Sequence, residues 1–331
     1  MSCLLLLGAG FSRNWGGWLA SEAFEYLLGC PEVRGNRALS ELLWRNQSSG
    51  GFEGALAELQ VEAIRDPQRY GADLTSLRGA VTSMFNDMNS SFSHLVNFEP
   101  QNHADKSIRG FLTKFDAIFT LNQDLLLEYQ YLAHEVSLLS NRRWKDSDLP
   151  GMEPAEVAAQ GHGDRWISRW RPKDAALFSV DPGYQPYFKL HGSANWIDGH
   201  GGSMLVMGGN KAHAIGLSPI LQWYQAQFAE YLARHDARLM VIGYGFRDEH
   251  INQIISSAVA NNDLKLFVVS PDGADQARKV GLQPGAAIQK RTDLEDTFQR
   301  SLIGASRRSL REIFGPGDDI EFGKLLRFFA A

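Results

Sequence analysis

Five short, almost wholly apolar runs, each ending in polar or glycine-rich residues, constrain this chain more than any other feature. They are Cys3–Leu7, Ala117–Leu121, Tyr187–Leu190, Leu239–Ile242 and Leu264–Val269. A strand with one wet face alternates apolar and polar residues, and these runs do not. They therefore predict parallel strands buried on both faces, in an α/β fold whose sheet carries helices on both sides. Open sheets of that kind place ligands beyond the carboxyl ends of their strands, where each of these runs turns polar or glycine-rich.

The spacing between the runs is uneven. Leu74, Leu77, Val81, Met84, Met88, Phe92 and Leu95 recur at steps of three and four, and Phe52 to Arg65 gives a shorter helical pattern that Asp66-Pro67 breaks. Residues 21–110 thus read as a helical insertion, too long for a simple crossover. Residues 140–186 show little periodicity and carry Arg142, Arg143, Trp144, Trp166, Trp170 and Arg171. They read either as a lid or partner surface, since such residues favour interfaces, or as a loop whose tryptophans pack on the core. Helices are expected over Pro219–His235 and Glu249–Ala260. The tail from Asp293 reads as amphipathic helix, with Leu302, Leu310, Ile313, Phe314, Leu325 and Phe328 as buried positions. The division expected is a core of residues 1–20 and 111–290, an insertion of 21–110 and a helical tail of 291–331.

Composition excludes several classes. Among 331 residues, 33 Lys plus Arg face 38 Asp plus Glu, and a net charge of -5 argues against a dedicated nucleic-acid binder. Two cysteines, Cys3 and Cys30, supply neither a disulfide framework nor a four-cysteine zinc site, and no metal is expected. The opening MSCLLLL has no basic flank and too short an apolar run for a signal peptide. No stretch approaches the length of a membrane helix, and a cytoplasmic location is expected.

Each strand end carries candidate chemistry. Gly8-Ala9-Gly10-Phe11-Ser12 joins a strand to a helix; its glycines let the backbone approach a phosphate, and the helix start offers N–H groups to an anion. The same residues also suit a tight turn with no ligand. Thr120, Asn122 and Asp124 alternate at the end of the second run and are able to hold a ribose, an amide or a water, or else to form an Asx turn and helix cap. His191 follows the third run and precedes Gly192, a position suited to a general base. His162 and His200 lie in loop-like sequence and receive no role. Gly243-Tyr244-Gly245 ends the fourth run, with Asp248 as a helix N-cap. Ser270 ends the fifth, where a polar residue meets an adenine ribose or simply makes a turn.

Taken in order, GAGxS, TxNxD, strand-HG and IGYGFxDxHIN resemble the sirtuin family and its bacterial sirtuin-like branch, from Gly8 to about Ser270. The resemblance implies a Rossmann-like NAD-binding core lined by Gly8, Ala9, Gly10, Phe11 and Ser12. It implies Asn122 and Asp124 at the nicotinamide ribose and His191 as a catalytic residue. Thr120, Gly243, Tyr244, Gly245 and Ser270 complete the expected NAD contacts. Protein-deacylating sirtuins also carry a four-cysteine zinc ribbon, a proline-aspartate-phenylalanine-arginine segment after GAGxS, and an acyl-lysine channel segment. Here the cysteines are missing, Gly17-Trp18-Leu19-Ala20-Ser21 stands in the second place, and the third has no counterpart.

These departures are similar to those of prokaryotic sirtuin-like NAD hydrolases of antiphage defence. The resemblance therefore implies NAD as substrate, cleaved to nicotinamide and linear or cyclic ADP-ribose. A protein deacylase and a non-catalytic NAD or ADP-ribose sensor are the alternatives. It also implies control through a homo-oligomer or a separately encoded partner, such as a HerA-type ATPase, an Argonaute or a nucleotide-binding protein.

Overall fold

The computed structural model describes residues 1–101, 104–156, 162–199, 201–209, 211–281 and 293–330. His200 and part of the expected core boundary near residue 290 lie outside the described residues. Eleven strands are described. The first six are β1 (Ser2–Leu7), β2 (Ala117–Thr120), β3 (Ser147–Asp148), β4 (Met152–Pro154), β5 (Trp170–Pro172) and β6 (Gln185–Lys189). The rest are β7 (Gly192–Ile197), β8 (Ser203–Leu205), β9 (Ala237–Ile242), β10 (Lys265–Val269) and β11 (Leu302–Ser306).

All five apolar runs become strands of one seven-stranded sheet, in the order β11-β10-β9-β1-β2-β6-β3, with every pairing parallel. Leu4 to Leu7 of β1 are wholly buried, as a strand covered on both faces requires. From β1 the sheet grows through β2 and β6 on one side and through β9, β10 and β11 on the other. The direction of winding thus reverses between β1 and β9, paired as far as Leu7 opposite Ile242. In a doubly wound sheet the crevice at that reversal is where a ligand binds.

Between β1 and β2 stand the helices Ala20–Gly29, Pro31–Arg34, Arg37–Asn46, Gly51–Arg65 and Pro67–Ser93. Asp66 and Pro67 mark the expected break: the Asp66 side chain accepts from the Arg69 amide, and Pro67 occupies the first helical position. No helix among the described residues is long and apolar enough to cross a membrane.

One expectation is corrected and one open reading is decided. The tail is not wholly helical, because Leu302–Ser306 forms β11 and pairs with β10. Of the positions expected to be buried there, Phe314 packs on Phe111, and Phe328 on Phe115 and Phe267. Residues 140–186 take, for their tryptophans, the second of the two readings, packing into the core. They supply β3, β4 and β5, the last two joining β7 and β8 in a second sheet ordered β4-β5-β7-β8. Trp166 and Trp170 are 0% and 1% exposed, so they belong to the interior and are out of a partner's reach.

At the reversal point the turns after β1 and β9 touch backbone to backbone. Gly243 has φ +68, and a Cβ there would stand 2.2 Å from the Phe11 nitrogen; one on Gly10 would stand 2.7 Å from the Gly243 Cα. Neither backbone has a flexible end that could yield. Gly243→Ala is expected to cost more than about 3 kcal/mol by urea unfolding, whereas Gly29→Ala, in a helix with open space around it, is neutral or stabilising. A cost for Gly243→Ala under ~1 kcal/mol would show that the two turns have slack.

Candidate active site

The glycine turn works differently from a free anion cradle. The Gly8 amide donates to the Ile242 carbonyl (3.0 Å), Gly10 to Gly243 (2.8 Å) and Phe11 to Gly8 (2.8 Å). Those three donors hold the turn closed, and the exposed residue of the turn is Ala9. Gly245, across the crevice, is exposed as well.

Beside this turn, a hydrogen-bond chain links β1 to β2. Ser12 Oγ donates to Asp124 Oδ2 at 2.8 Å, and Asn122 Nδ2 donates to Ser12 Oγ at 3.0 Å. Because the hydroxyl hydrogen goes to the carboxylate, Ser12 can only accept from Asn122, which fixes the direction of the amide. The Asn122 carbonyl oxygen is therefore the end turned away from the chain, free to accept from a water or a ribose hydroxyl. The Asn122 amide nitrogen donates to Thr120 Oγ1 (3.0 Å), so the Thr120 hydroxyl closes this turn. Asp124 is buried; burial raises its carboxyl above the ordinary range, and Lys189, the Leu126 amide and Ser12 oppose that rise.

Sequence reasoning missed what lies beneath. Lys189 and Glu128 form an ion pair at 2.7 Å and are 0% and 1% exposed, and the Lys189 ammonium also donates to the Asp124 carbonyl at 2.6 Å. One charge in an otherwise apolar strand, Tyr187-Phe188-Lys189-Leu190, was the available signal, because a lysine buried on both faces must find an acid.

His191 emerges at the end of β6, buried at 3% exposure. Its carbonyl accepts from Gln123 Nε2 (3.1 Å), which also donates to the Val206 carbonyl (2.7 Å). Gly192, with φ +76, is required next to it: a Cβ there would fall 1.9 Å from the Met204 carbonyl oxygen of β8. The His191 ring meets a second histidine, with Nε2 of each 3.0 Å apart, and that partner is His250. Asp248 stands at the N-cap position of the helix Glu249–Asn262 without capping it. Its carboxylate instead takes the Lys211 ammonium at 2.8 Å, and Lys211 also reaches Glu53 of the helix Gly51–Arg65 at 2.8 Å. The motif Asp248-x-His250 carried this signal, but Lys211 and Glu53 had no local pattern.

Burial lowers His191 to about 3; Asp248 opposes this fall, and Lys211 and His250 add to it. Burial lowers His250 as well. Burial by itself raises Asp248, but His191, Lys211 and His250 hold it below the usual carboxylate range. Two imidazoles and a carboxylate, with one ligand atom each within 4.8 Å of the others, form a donor set that transition metals accept. The Lys211 ammonium on that carboxylate opposes a second cation.

The other expected contacts are placed as follows. Tyr244 is buried, and its hydroxyl accepts from the Asp248 amide (3.0 Å), tying down the turn after β9. Ser270 Oγ accepts from the Gly273 amide (3.0 Å), within its own turn. The crevice thus brings together the turn Gly8–Ser12, Asn122, Asp124 and Gly243–Gly245, while His191 stands at the same carboxyl edge, one strand beyond β2.

A family model described as SIR2-like domain matches residues 116–288. The chain belongs to the SIR2-like family. It matches no curated protein. SIR2-like domains are commonly NAD-dependent enzymes, so the family implies NAD binding, and the sheet reversal beside the glycine turn is the place that suits a dinucleotide.

The buried neutral histidine of this SIR2-like fold also sets its acid stability. An unfolded histidine titrates near 6.5. Below that pH the unfolded chain takes up a proton that folded His191, at about 3, refuses, so stability falls as pH drops from 6.5 towards 3 and is flat above. From pH 6.5 to 5, His191 is expected to cost about 1.5 kcal/mol. Urea midpoints across that range should flatten in His191→Asn, and an unchanged slope would assign the loss elsewhere.

Proposed function

We propose that this SIR2-like protein is an NAD glycohydrolase, cleaving NAD to nicotinamide and ADP-ribose. The observation that carries the reading is the directed chain Asn122–Ser12–Asp124 beside the glycine turn, with a neutral histidine at the same edge of the sheet. Breaking the ribose–nicotinamide bond sends its electron pair to the pyridinium ring and leaves oxocarbenium character at the anomeric carbon. The Asn122 carbonyl orients the ribose or the incoming water. Asp124, occupied by Ser12 and the Leu126 amide, buttresses Asn122. Water forms the new C–O bond, and His191, neutral in the resting protein, is the group placed to take its proton as positive charge develops on the ribose.

Against deacylation stands the cysteine content, two where the zinc ribbon of the deacylating sirtuins needs four. Incubation with NAD, with and without an acylated lysine peptide, tests the reading through nicotinamide release. Release without peptide, unaffected by chelator, is expected. Release only with peptide makes the protein a deacylase, and binding without release makes it a sensor.

The reading extends to an effector of bacterial antiphage defence by NAD depletion, controlled by a homo-oligomer or a separately encoded partner. Its support is the family resemblance and the need for an NAD-emptying enzyme to be quiet by default. Turnover concentrated in a large species on size fractionation would bear on it directly.

A further inference from the structure

The contact between His191 Nε2 and His250 Nε2 is nitrogen to nitrogen at 3.0 Å, so one ring must supply the hydrogen and the other a lone pair. Were His250 the donor, the hydrogen of His191 would sit on Nδ1 and its one lone pair would be spent on His250. Such a ring has nothing left to take a proton. With His250 as acceptor, His191 keeps its hydrogen on Nε2 and a free lone pair on Nδ1.

We propose that His250 is a positioning residue that accepts the Nε2 hydrogen of His191 and holds it in the tautomer able to act as a base, and that Asp248, Lys211 and Glu53 tune the charge of this pair. The catalytic part rests on the NAD-hydrolysing reading. The charges balance in a specific way. Glu53 and Asp248 are two carboxylates on one ammonium, Lys211, and leave one negative charge beside two neutral rings. When His191 gains a proton, that charge offsets part of the cost of a buried imidazolium, a cost that in the resting protein keeps the ring neutral. The charged groups that act on His191 are Asp248 and Lys211, with His250 as its titratable neighbour. Glu53 acts through Lys211, which makes the helical insertion part of the setting.

The test uses the full chain with ring-nitrogen-labelled histidine, read by NMR for tautomer and by nicotinamide release for turnover. Wild-type His191 is expected as a single tautomer with hydrogen on Nε2. His250→Phe should give mixed tautomers and lose turnover by at least about tenfold, and His250→Gln, which keeps an acceptor, should restore part of both. Glu53→Gln removes the balancing charge and should slow turnover several-fold at neutral pH. Lys211→Met adds negative charge and should raise the pH of the acid limb instead. A purely structural role would move both variants in the same direction, and that result overturns the proposal. So does a His191 tautomer unchanged in His250→Phe. A protein that releases no nicotinamide removes the NAD reading, while the tautomer measurement still decides the role of His250.

Discussion

On the proposed NAD-cleaving reading, nicotinamide release is expected to fall by about 10³-fold or more when His191 is replaced by alanine, and by about 10²-fold when Asn122 is. The two losses have different origins. Without His191 the attacking water would lose the base proposed for it, and hydroxide from bulk is scarce. Without Asn122 the base remains, but the carbonyl aimed by Ser12 and Asp124 is gone, so ribose and water are no longer held in line. Both variants should unfold with wild-type cooperativity, because neither side chain carries the packing of the sheet. His191→Ala with near-normal turnover would remove the histidine from the mechanism. Asn122→Ala with normal turnover would return its hydrogen-bond chain to a structural role.

Lys189→Met is expected to lower stability by about 3–5 kcal/mol, because it strands the Glu128 carboxylate where no water reaches it. Glu128→Leu should cost a similar amount by stranding the ammonium. The double replacement, Lys189→Met with Glu128→Leu, should recover most of the loss, since no charge is then left unpaired. Recovery will be incomplete: the Asp124 carbonyl accepts from the same ammonium, and nothing replaces that donor. Urea unfolding of the four proteins reads the cycle directly. If the double variant is as unstable as the sum of the singles, the two side chains are not coupled and the pair is not what sustains the floor of the crevice.

The same residues explain why part of this molecule was legible and part was not. Parallel strands sealed on both faces write themselves as unbroken apolar runs, so β1, β2, β6, β9 and β10 could be read directly. β11 lies at the edge of the sheet, half covered, with Gly304 in its middle, and Leu-Ile-Gly-Ala-Ser has neither the run nor the alternation of a strand. The three-residue strands β4, β5 and β8 are too short to show a period. Trp166 and Trp170 left interface and core both open, because bulk and aromaticity serve cores and contacts alike. In the crevice, Asn122, Asp124 and His191 stood out because each follows a strand. Ser12 is legible only as part of the turn expected to line NAD, and its place between Asn122 and Asp124 needs the fold. Lys211 and Glu53 come from distant helices, and no spacing announces a pair that only tertiary structure brings together.

The central place of β1 has a consequence for how the protein is made. Its two neighbours are β2 and β9, so Leu4 to Leu7 leave the ribosome with both edges open. Covering the second edge waits for about 230 more residues, roughly 10–50 s at ordinary elongation rates. The helices from Ala20 to Ser93 emerge in that interval, rich in local contacts that form quickly. Their early burial of apolar surface, followed by late closure around β1, makes the nascent chain most vulnerable to aggregation just before Ala237–Ile242 is synthesised.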